Sequence, residues 1–235
     1  MHAIILGIGS DIGRELALRL NEAGWRVSGC FHTSALPFEP WDLVVCCYGV
    51  LDPIGSFWEQ GDAAWEDAIH ANALLPLRQV RALYPHRRRW GESVCFFSGA
   101  GAGGPAPTYS AYCASKVMLT KMVELLDDES PDCKFFILGP GMVRTKIHEQ
   151  TMRAGERAAN YQRVRDYLIS ENVGTSYDDI YSCLMTCVAA PKAAVGGRNI
   201  CVHLDDWSRL GELVASPSMF KLRRAGDASI RRLTP

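Results

Sequence analysis

Short apolar runs alternate along this chain with stretches whose apolar positions recur every three or four residues. The runs Ala3 to Leu6, Arg26 to Phe31, Leu43 to Cys47, Val94 to Phe97, Phe135 to Leu138 and Asn199 to His203 read as strands. Ile12 to Ala23, Ala63 to Leu83, Ser110 to Asp127 and Tyr177 to Ala190 read as helices. In the first of these Ile12, Leu16, Leu20 and Ala23 form one stripe, and Gly24 ends it. Strand and helix in alternation predict an α/β fold built on a doubly wound parallel sheet of six strands. The strands show little polar alternation, as expected of parallel strands covered on both faces. One connection is abnormally short. Only Thr33 to Trp41 separate the second strand from the third, and Pro37 and Pro40 oppose a helix there. A parallel crossover generally needs a helix or about ten to twelve residues. An extended loop crossing an edge of the sheet is therefore expected, with strands two and three not adjacent.

The composition changes this picture little. Of 235 residues, 48% are hydrophobic and 22% charged, which suits a globular chain and argues against intrinsic disorder. The net charge of -1 offers no field to hold nucleic acid or an anionic membrane. The longest apolar run, Leu43 to Leu51, is too short to span a bilayer. The N-terminus has no basic region before its apolar run, so no signal peptide is expected. The nine cysteines are odd in number, and Cys46 and Cys47 are adjacent. Cys30 and Cys95 fall in strands, and Cys183 and Cys187 have helical spacing without a zinc-type motif. Reduced cysteines acting as small buried hydrophobes, no metal site, and a cytoplasmic location follow as expectations.

Two segments stand apart. The run His86 to Arg89 suits the basic end of a helix. Residues 207–235 read as a tail on a domain spanning 1–206. The tail carries Lys221, Arg223, Arg224, Arg231 and Arg232 against Glu212 and Asp227. It is expected to pack through Met219, Phe220 and Leu222, with a patch for acidic partners as the alternative.

Two motifs suggest chemistry. Gly7-Ile8-Gly9-Ser10-Asp11-Ile12-Gly13 follows a strand and opens a helix. Small residues there let the backbone approach a diphosphate, and the helix N-terminus offers free N–H groups and a positive dipole end. The third glycine comes four residues after the second, so the spacing is not GxGxxG. The second motif is Tyr112-Cys113-Ala114-Ser115-Lys116. Tyr112 and Lys116 share one helix face. An ammonium near a phenol lowers the phenol's pKa, which suits a general acid acting on an alkoxide near neutral pH.

Together these motifs resemble the short-chain dehydrogenase/reductase superfamily. Gly49, after Cys46, Cys47 and Tyr48, matches the end of that family's fourth strand. Asn72 matches its helix asparagine, which holds a water of the proton relay. Pro140, Gly141, Val143 and Thr145 match the PGxVxT segment beside the nicotinamide, and Gly196 to Ile200 match the turn into the last strand. The likeness runs from Met1 to Asp206 in order. It implies a Rossmann-type sheet, a hydride transfer between a nicotinamide cofactor and a carbonyl or secondary alcohol, and catalytic residues Tyr112, Lys116, Asn72 and Ser98. It also implies cofactor contacts from Gly7, Gly9, Ser10, Asp11, Ile12, Gly13, Arg14, Phe31, His32, Thr33, Cys47, Gly49, Asn72, Tyr112, Lys116, Pro140, Gly141, Val143 and Thr145.

Two departures from the family stand out. Its usual third strand and flanking helices are missing between Phe31 and Trp41, and with them an Asp beside the adenine. The catalytic serine, thirteen residues before the tyrosine, is Gly99 here, with Ser98 one residue earlier. Ser98, Ser110 or a backbone N–H could hold the substrate carbonyl in its place. A non-catalytic dinucleotide-binding protein on the same fold is the alternative reading. The second strand ends without the carboxylate that NAD-selective sites place on the ribose. With Arg14, His32, Thr33 and Ser34 near, NADP is favoured over NAD. The segment 146–175, rich in Arg153, Arg157, Arg163, Arg165 and Tyr161, is where the family selects its small-molecule substrate. Those arginines suit either an anionic substrate or a solvated helix face. The helices Ala63 to Leu83 and Ser110 to Asp127 imply, by resemblance, a homodimer or homotetramer.

Overall fold

Six strands run parallel in one sheet: β1 (His2–Leu6), β2 (Arg26–Cys30), β3 (Leu43–Cys46), β4 (Glu92–Phe97), β5 (Cys133–Gly139) and β6 (Asn199–Cys201). Their order across the sheet is β2-β1-β3-β4-β5-β6, so β2 and β3 are separated by β1, as the short connection predicted. The computed structural model describes residues 1–32, 34–88, 91–99, 101, 104–172, 174–216 and 218–222.

Alternate residues of each strand enter opposite layers, and both layers are apolar. One face sends Ala3, Ile5, Val45 and Leu138 against α1 (Asp11–Glu22) and α7 (Tyr177–Ala189), through Leu16, Leu20, Ile180 and Leu184. The other sends Ile4, Val44, Phe96 and Ile137 against α3 (Leu75–Leu83) and α4 (Ser110–Glu129), through Val80, Leu83, Leu119 and Val123. Each such side chain contributes about 1.5–3 kcal/mol on burial. The two-sided demand explains why the strands lack a polar alternation.

The helix expected over Ala63 to Leu83 is one run with a local change of winding. It starts as α2 (Asp62–Ile69), passes through a π-turn over His70–Leu74, and continues as α3. Between β5 and the last strand lie α5 (His148–Ala154), α6 (Tyr161–Ile169), α7 and the short α8 (Lys192–Val195). The segment 146–175 thus holds two helices, α5 and α6. Arg153, Arg157, Arg163 and Arg165 are all exposed on it.

The crossover from β2 to β3 contains no helix, and Trp41 holds it. The indole is fully buried, and its Nε1 donates to the Leu83 carbonyl at the end of α3, 2.8 Å away. Leu36 packs on the same apolar layer, so the crossing runs over the α3 face. The next residue, Asp42, accepts the His2 amide at 2.6 Å and ties the loop's end to β1. Arg26 on the edge strand β2 pairs with Glu39 of the crossover.

Past β6, a 3-10 turn over Trp207–Ala215 buries Leu210 and Leu213. The buried Arg198 guanidinium donates to the carbonyls of Leu213, Ser216 and Met219 and clamps this segment to the domain. Packing is therefore through Leu210 and Leu213. Of the three residues expected to anchor the tail, Phe220 packs on the layer, whereas Met219 and Leu222 are exposed. Arg223, Arg224, Arg231 and Arg232 lie outside the described residues, as does Arg89. Beyond α3, Arg87 pairs with Asp132 at 2.8 Å and stacks on Tyr84.

Trp41→Phe keeps the ring's bulk in part but strands the buried Leu83 carbonyl. It is expected to lower stability by about 1–3 kcal/mol in urea denaturation. A change below about 0.5 kcal/mol would contradict Trp41 as the anchor of the crossover.

Candidate active site

The site forms where the C-terminal ends of β1, β3, β4 and β5 meet loops from both layers. β1 turns into α1 through Gly7, which has φ +82. A Cβ on Gly7 would lie 3.0 Å from the Tyr48 ring, and one on Gly13 would lie 2.5 Å from the Gly7 carbonyl oxygen. Only glycines let the loop close this tightly. Ser10 caps α1, its hydroxyl accepting the Gly13 amide at 3.0 Å, and Asp11 stands in the first turn beside Ile12. Arg14 is 3.7 Å from Asp11 and donates to the Gly9 carbonyl at 3.4 Å. Phe31, at the end of β2, lays its ring on this loop, since a Cβ on Gly9 would come within 2.9 Å of it. Phe31 and His32 are exposed, and Thr33 lies outside the described residues.

Lys116 is fully buried on α4. Its ammonium donates to the carbonyls of Phe97, 3.0 Å away, and Tyr48, 3.2 Å away. It thereby joins α4 to the loop after β3 and to the end of β4. Burial pulls its pKa down to about 8, a fall that the nearby Cys46 and Cys47 partly oppose. Tyr112 stands one turn earlier on α4, its ring centroid 5.6 Å from the Lys116 ammonium. Burial, with Cys113 nearby, pushes the Tyr112 phenol upward. The expected lowering of this phenol by Lys116 is not found, because desolvation outweighs the cation at that separation. Cys47 is buried, its amide bonded to the Leu6 carbonyl, and its thiol is pushed up to about 12.

The missing serine has a steric counterpart. A Cβ at Gly99 would overlap the hydroxyl and ring of Tyr112. The tyrosine fills the space that a side chain at 99 would need. Ser98 is buried in the cleft wall, its hydroxyl donating to Asn199 Oδ1 at 3.1 Å and facing the Leu138 carbonyl at 3.4 Å. Ser110 is also engaged: it accepts from the Trp65 indole and donates to Gln60.

Asn72 lies in the π-turn and is buried. Its amide clamps Val50, accepting the N–H at 2.8 Å and donating to the carbonyl at 2.9 Å. An α-helical partner for the Asn72 carbonyl would come from residue 76, which is a proline. Asn72 thus fixes the strand-end loop through its side chain while its main-chain carbonyl lacks that donor. Gly49 lies between this clamp and Ile147, whose Cδ1 would be 3.4 Å from a Cβ on Gly49.

The segment after β5 roofs the cleft. Pro140 leads into Gly141, whose φ of +74 brings it so close to Thr175 that a Cβ would be 2.8 Å from the threonine hydroxyl. Val143 forms an isolated bridge to Gly174, and its carbonyl accepts from His148 at 2.9 Å. Thr145 starts the turn into α5. The resulting cleft, about 710 Å³, is lined by Tyr112, Lys116, Ser98, Pro140 and Thr145. It also reaches Ser10, Asp11 and Ile12, but not Phe31 or His32.

Several residues at this cleft went unnoticed in the sequence. Tyr109 donates to Asn160 Oδ1 at 2.5 Å and pairs with Thr151 at 2.9 Å, joining α4 to α5 and to the residue before α6. Gln150 accepts the amides of Leu51 and Asp52 at 2.7 and 3.0 Å. Asn199, Cys201 and His203 come from β6 and the turn beyond it, with Cys201 Sγ 3.3 Å from His203 Nδ1. The available signal was a set of uncharged polar residues among apolar helical positions.

The comparisons with known proteins agree with this geometry. The short chain dehydrogenase family model matches residues 37–155, just over half of the chain. An uncharacterized oxidoreductase of Schizosaccharomyces pombe is 28% identical over 115 residues, which are 49% of this chain and 47% of that protein. The matched region thus spans about half the length of this curated relative. Among solved structures, a small-chain dehydrogenase in complex with NADPH is similar with a TM-score of 0.72 at 19% identity, covering 89% of this chain and 98% of that one. A short-chain dehydrogenase/reductase from Saccharomyces cerevisiae gives 0.71 at 16% identity, over 89% and 98% of the two chains. A 3-ketoacyl-(acyl-carrier-protein) reductase from Brucella melitensis complexed with NADH gives 0.69 at 16% identity, over 86% and 96%. The matched stretch contains the Tyr112–Lys116 pair and the glycine loop lies just outside it on the same parallel sheet; this chain belongs to the short-chain dehydrogenase family.

Proposed function

We propose that the protein is an oxidoreductase moving a hydride between a nicotinamide dinucleotide and a carbonyl or secondary alcohol. The observation that carries this reading is the buried Lys116 ammonium one turn from Tyr112, both lining a cleft that opens onto the glycine loop. A protein that merely binds a dinucleotide has no need of a desolvated charge beside a phenol. The cradle fits the cofactor: Gly7, Gly9 and Gly13 leave room for a diphosphate, with Ser10, Asp11, Ile12 and Arg14 at its edge. Cys47, Gly49, Pro140, Gly141, Val143 and Thr145 border the nicotinamide end, and Phe31, His32 and Thr33 the adenosine end. The absence of a carboxylate after β2, with Arg14 and His32 available to a 2′-phosphate, favours NADP over NAD. Among similar structures, both NADPH and NADH complexes occur.

The bound nicotinamide supplies or accepts the hydride. Tyr112 gives its phenolic proton to the substrate oxygen during reduction and takes it back during oxidation. Lys116 keeps a positive charge behind the phenol and orients the cofactor ribose. Asn72 anchors the relay water. Ser98 holds the substrate carbonyl once its hydroxyl leaves Asn199. The substrate is a small molecule entering beneath α5 and α6. Among the described residues no helix is long and apolar enough to cross a membrane, and a cytoplasmic location is part of the proposal. So is a homodimer or homotetramer formed through α2–α3 and α4, where Met118 and Leu125 are exposed. A monomer by light scattering at micromolar concentration would overturn that assembly.

Three measurements test the chemistry. Tyr112→Phe should retain NADPH affinity and lose turnover by about a hundredfold or more on a carbonyl that the parent reduces. If the parent binds NADPH but turns over no carbonyl in a broad panel, the non-catalytic reading replaces this one.

Gly99→Ser restores a serine thirteen residues before the tyrosine. Here it should lower turnover, because Tyr112 must move to admit the new side chain. A gain in turnover would show that Gly99 is a simple loss of the catalytic serine.

Lys116 carries its charge below pH of about 8 and sheds it above, since its folded pKa is depressed. With NADPH as the varied substrate, kcat/KM should therefore fall above pH of about 8. Tyr112, shifted upward, does not titrate in that range. Lys116→Arg, which stays charged, should lose this descending limb at whatever activity it keeps. A parent profile flat to pH of about 9.5 would contradict the assignment.

A further inference from the structure

Lys146, on the segment that roofs the cleft, is bonded to the glycine loop twice. The Lys146 main-chain N–H donates to the Asp11 carboxylate at 2.7 Å, and its ammonium donates to the Gly9 carbonyl, also at 2.7 Å. These contacts join positions more than a hundred residues apart, across the mouth of the loop. The first has a consequence for charge. Asp11 places a carboxylate in the first turn of α1, where the helix dipole favours an anion. A dinucleotide's diphosphate arriving at that helix end meets a like charge. Arg14 and Lys146 are cations bonded to this loop and stand near enough to offset it.

We propose that Lys146 is a ligand for the cofactor diphosphate, parked on the Gly9 carbonyl until the dinucleotide arrives, and that its main-chain bond to Asp11 is the catch that holds the roof over the loop. This rests on the dinucleotide reading above. The division of labour follows from the two bonds. The main-chain bond fixes the base of the side chain whatever the ammonium does. The ammonium, on a flexible stem and held only by a neutral carbonyl, can exchange that acceptor for a charged phosphate oxygen, which binds it more strongly. Cofactor binding then strengthens the link between the loop and the segment that leads into α5, so the substrate side of the cleft is closed by the same residue that reads the diphosphate. Arg14 cannot do this alone, because it belongs to α1 and joins nothing to the roof.

The test is calorimetric titration of the full chain with NADPH at two salt concentrations. Lys146→Met is expected to weaken binding about tenfold or more and to flatten its salt dependence, as loss of a charge-assisted bond should. Lys146→Arg, which keeps the charge, should stay within about threefold of the parent. Because Lys146 is exposed, thermal melts of both variants should match the parent. The affinity loss on Lys146→Met should shrink in an Asp11→Ala background, where the base of the side chain is no longer fixed. An unchanged NADPH affinity in Lys146→Met overturns the proposal and leaves the cofactor reading intact. Equal losses in the two backgrounds overturn the catch. A parent chain that binds neither NADPH nor NADH overturns both this proposal and the reading beneath it.

Discussion

The site hangs on one buried cation. Among the described residues Lys116 is held by two backbone carbonyls, one at the end of β4 and one just past β3, and by no carboxylate. Such an arrangement is costly by itself, because a desolvated ammonium favours its neutral form, which is why its pKa sits near 8. The cost is tolerated because the same two bonds settle where α4 lies against the sheet edge. Once α4 is placed, Tyr112 falls one turn away with its hydroxyl over the end of β4. The Asn72 clamp on Val50 then holds the same loop beyond β3 two residues further on.

A second dependence follows from the first. With Tyr112 set so close to the main chain at 99, only glycine fits there. The family's serine position is thus closed by packing as well as by sequence, and the neighbouring Ser98 is drawn toward β6 by Asn199. The hydroxyl is near the cleft, but it is already engaged, and its engagement involves a residue from a strand a hundred positions away.

The β2 side of the sheet shows the effect of a short connection. Without a further strand beyond β2, that strand is the edge of the sheet, and Trp41 and Asp42 tie the returning chain to α3 and β1. Phe31, instead of being covered, lies over Gly9 at the protein surface. The deep part of the cleft therefore lies around Tyr112, Lys116 and Pro140, and it does not extend to Phe31 or His32.

Six strands, their parallel sense, the separation of β2 from β3, and the motifs at Gly7–Gly13 and Tyr112–Lys116 were legible in the sequence. Each is a local property: apolar runs specify buried strands, turn chemistry specifies the loop, and helical spacing puts Tyr112 and Lys116 on one face. The π-turn at Asn72 was not among these: the pattern over Ala63 to Leu83 predicted a plain helix, and Pro76, which has no N–H for the Asn72 carbonyl, is its local mark. What only the tertiary structure decided were quantities set by distance between remote segments. The phenol of Tyr112 is raised and not lowered, because burial depends on everything packed around it and not on the spacing to Lys116 alone. Ser98 points to Asn199, Tyr109 bonds Thr151 and Asn160, and Lys146 reaches Asp11 and Gly9, for the same reason. Hydrogen-bond partners in a doubly wound sheet are chosen by which loops meet at its carboxyl edge, and no local pattern encodes that meeting.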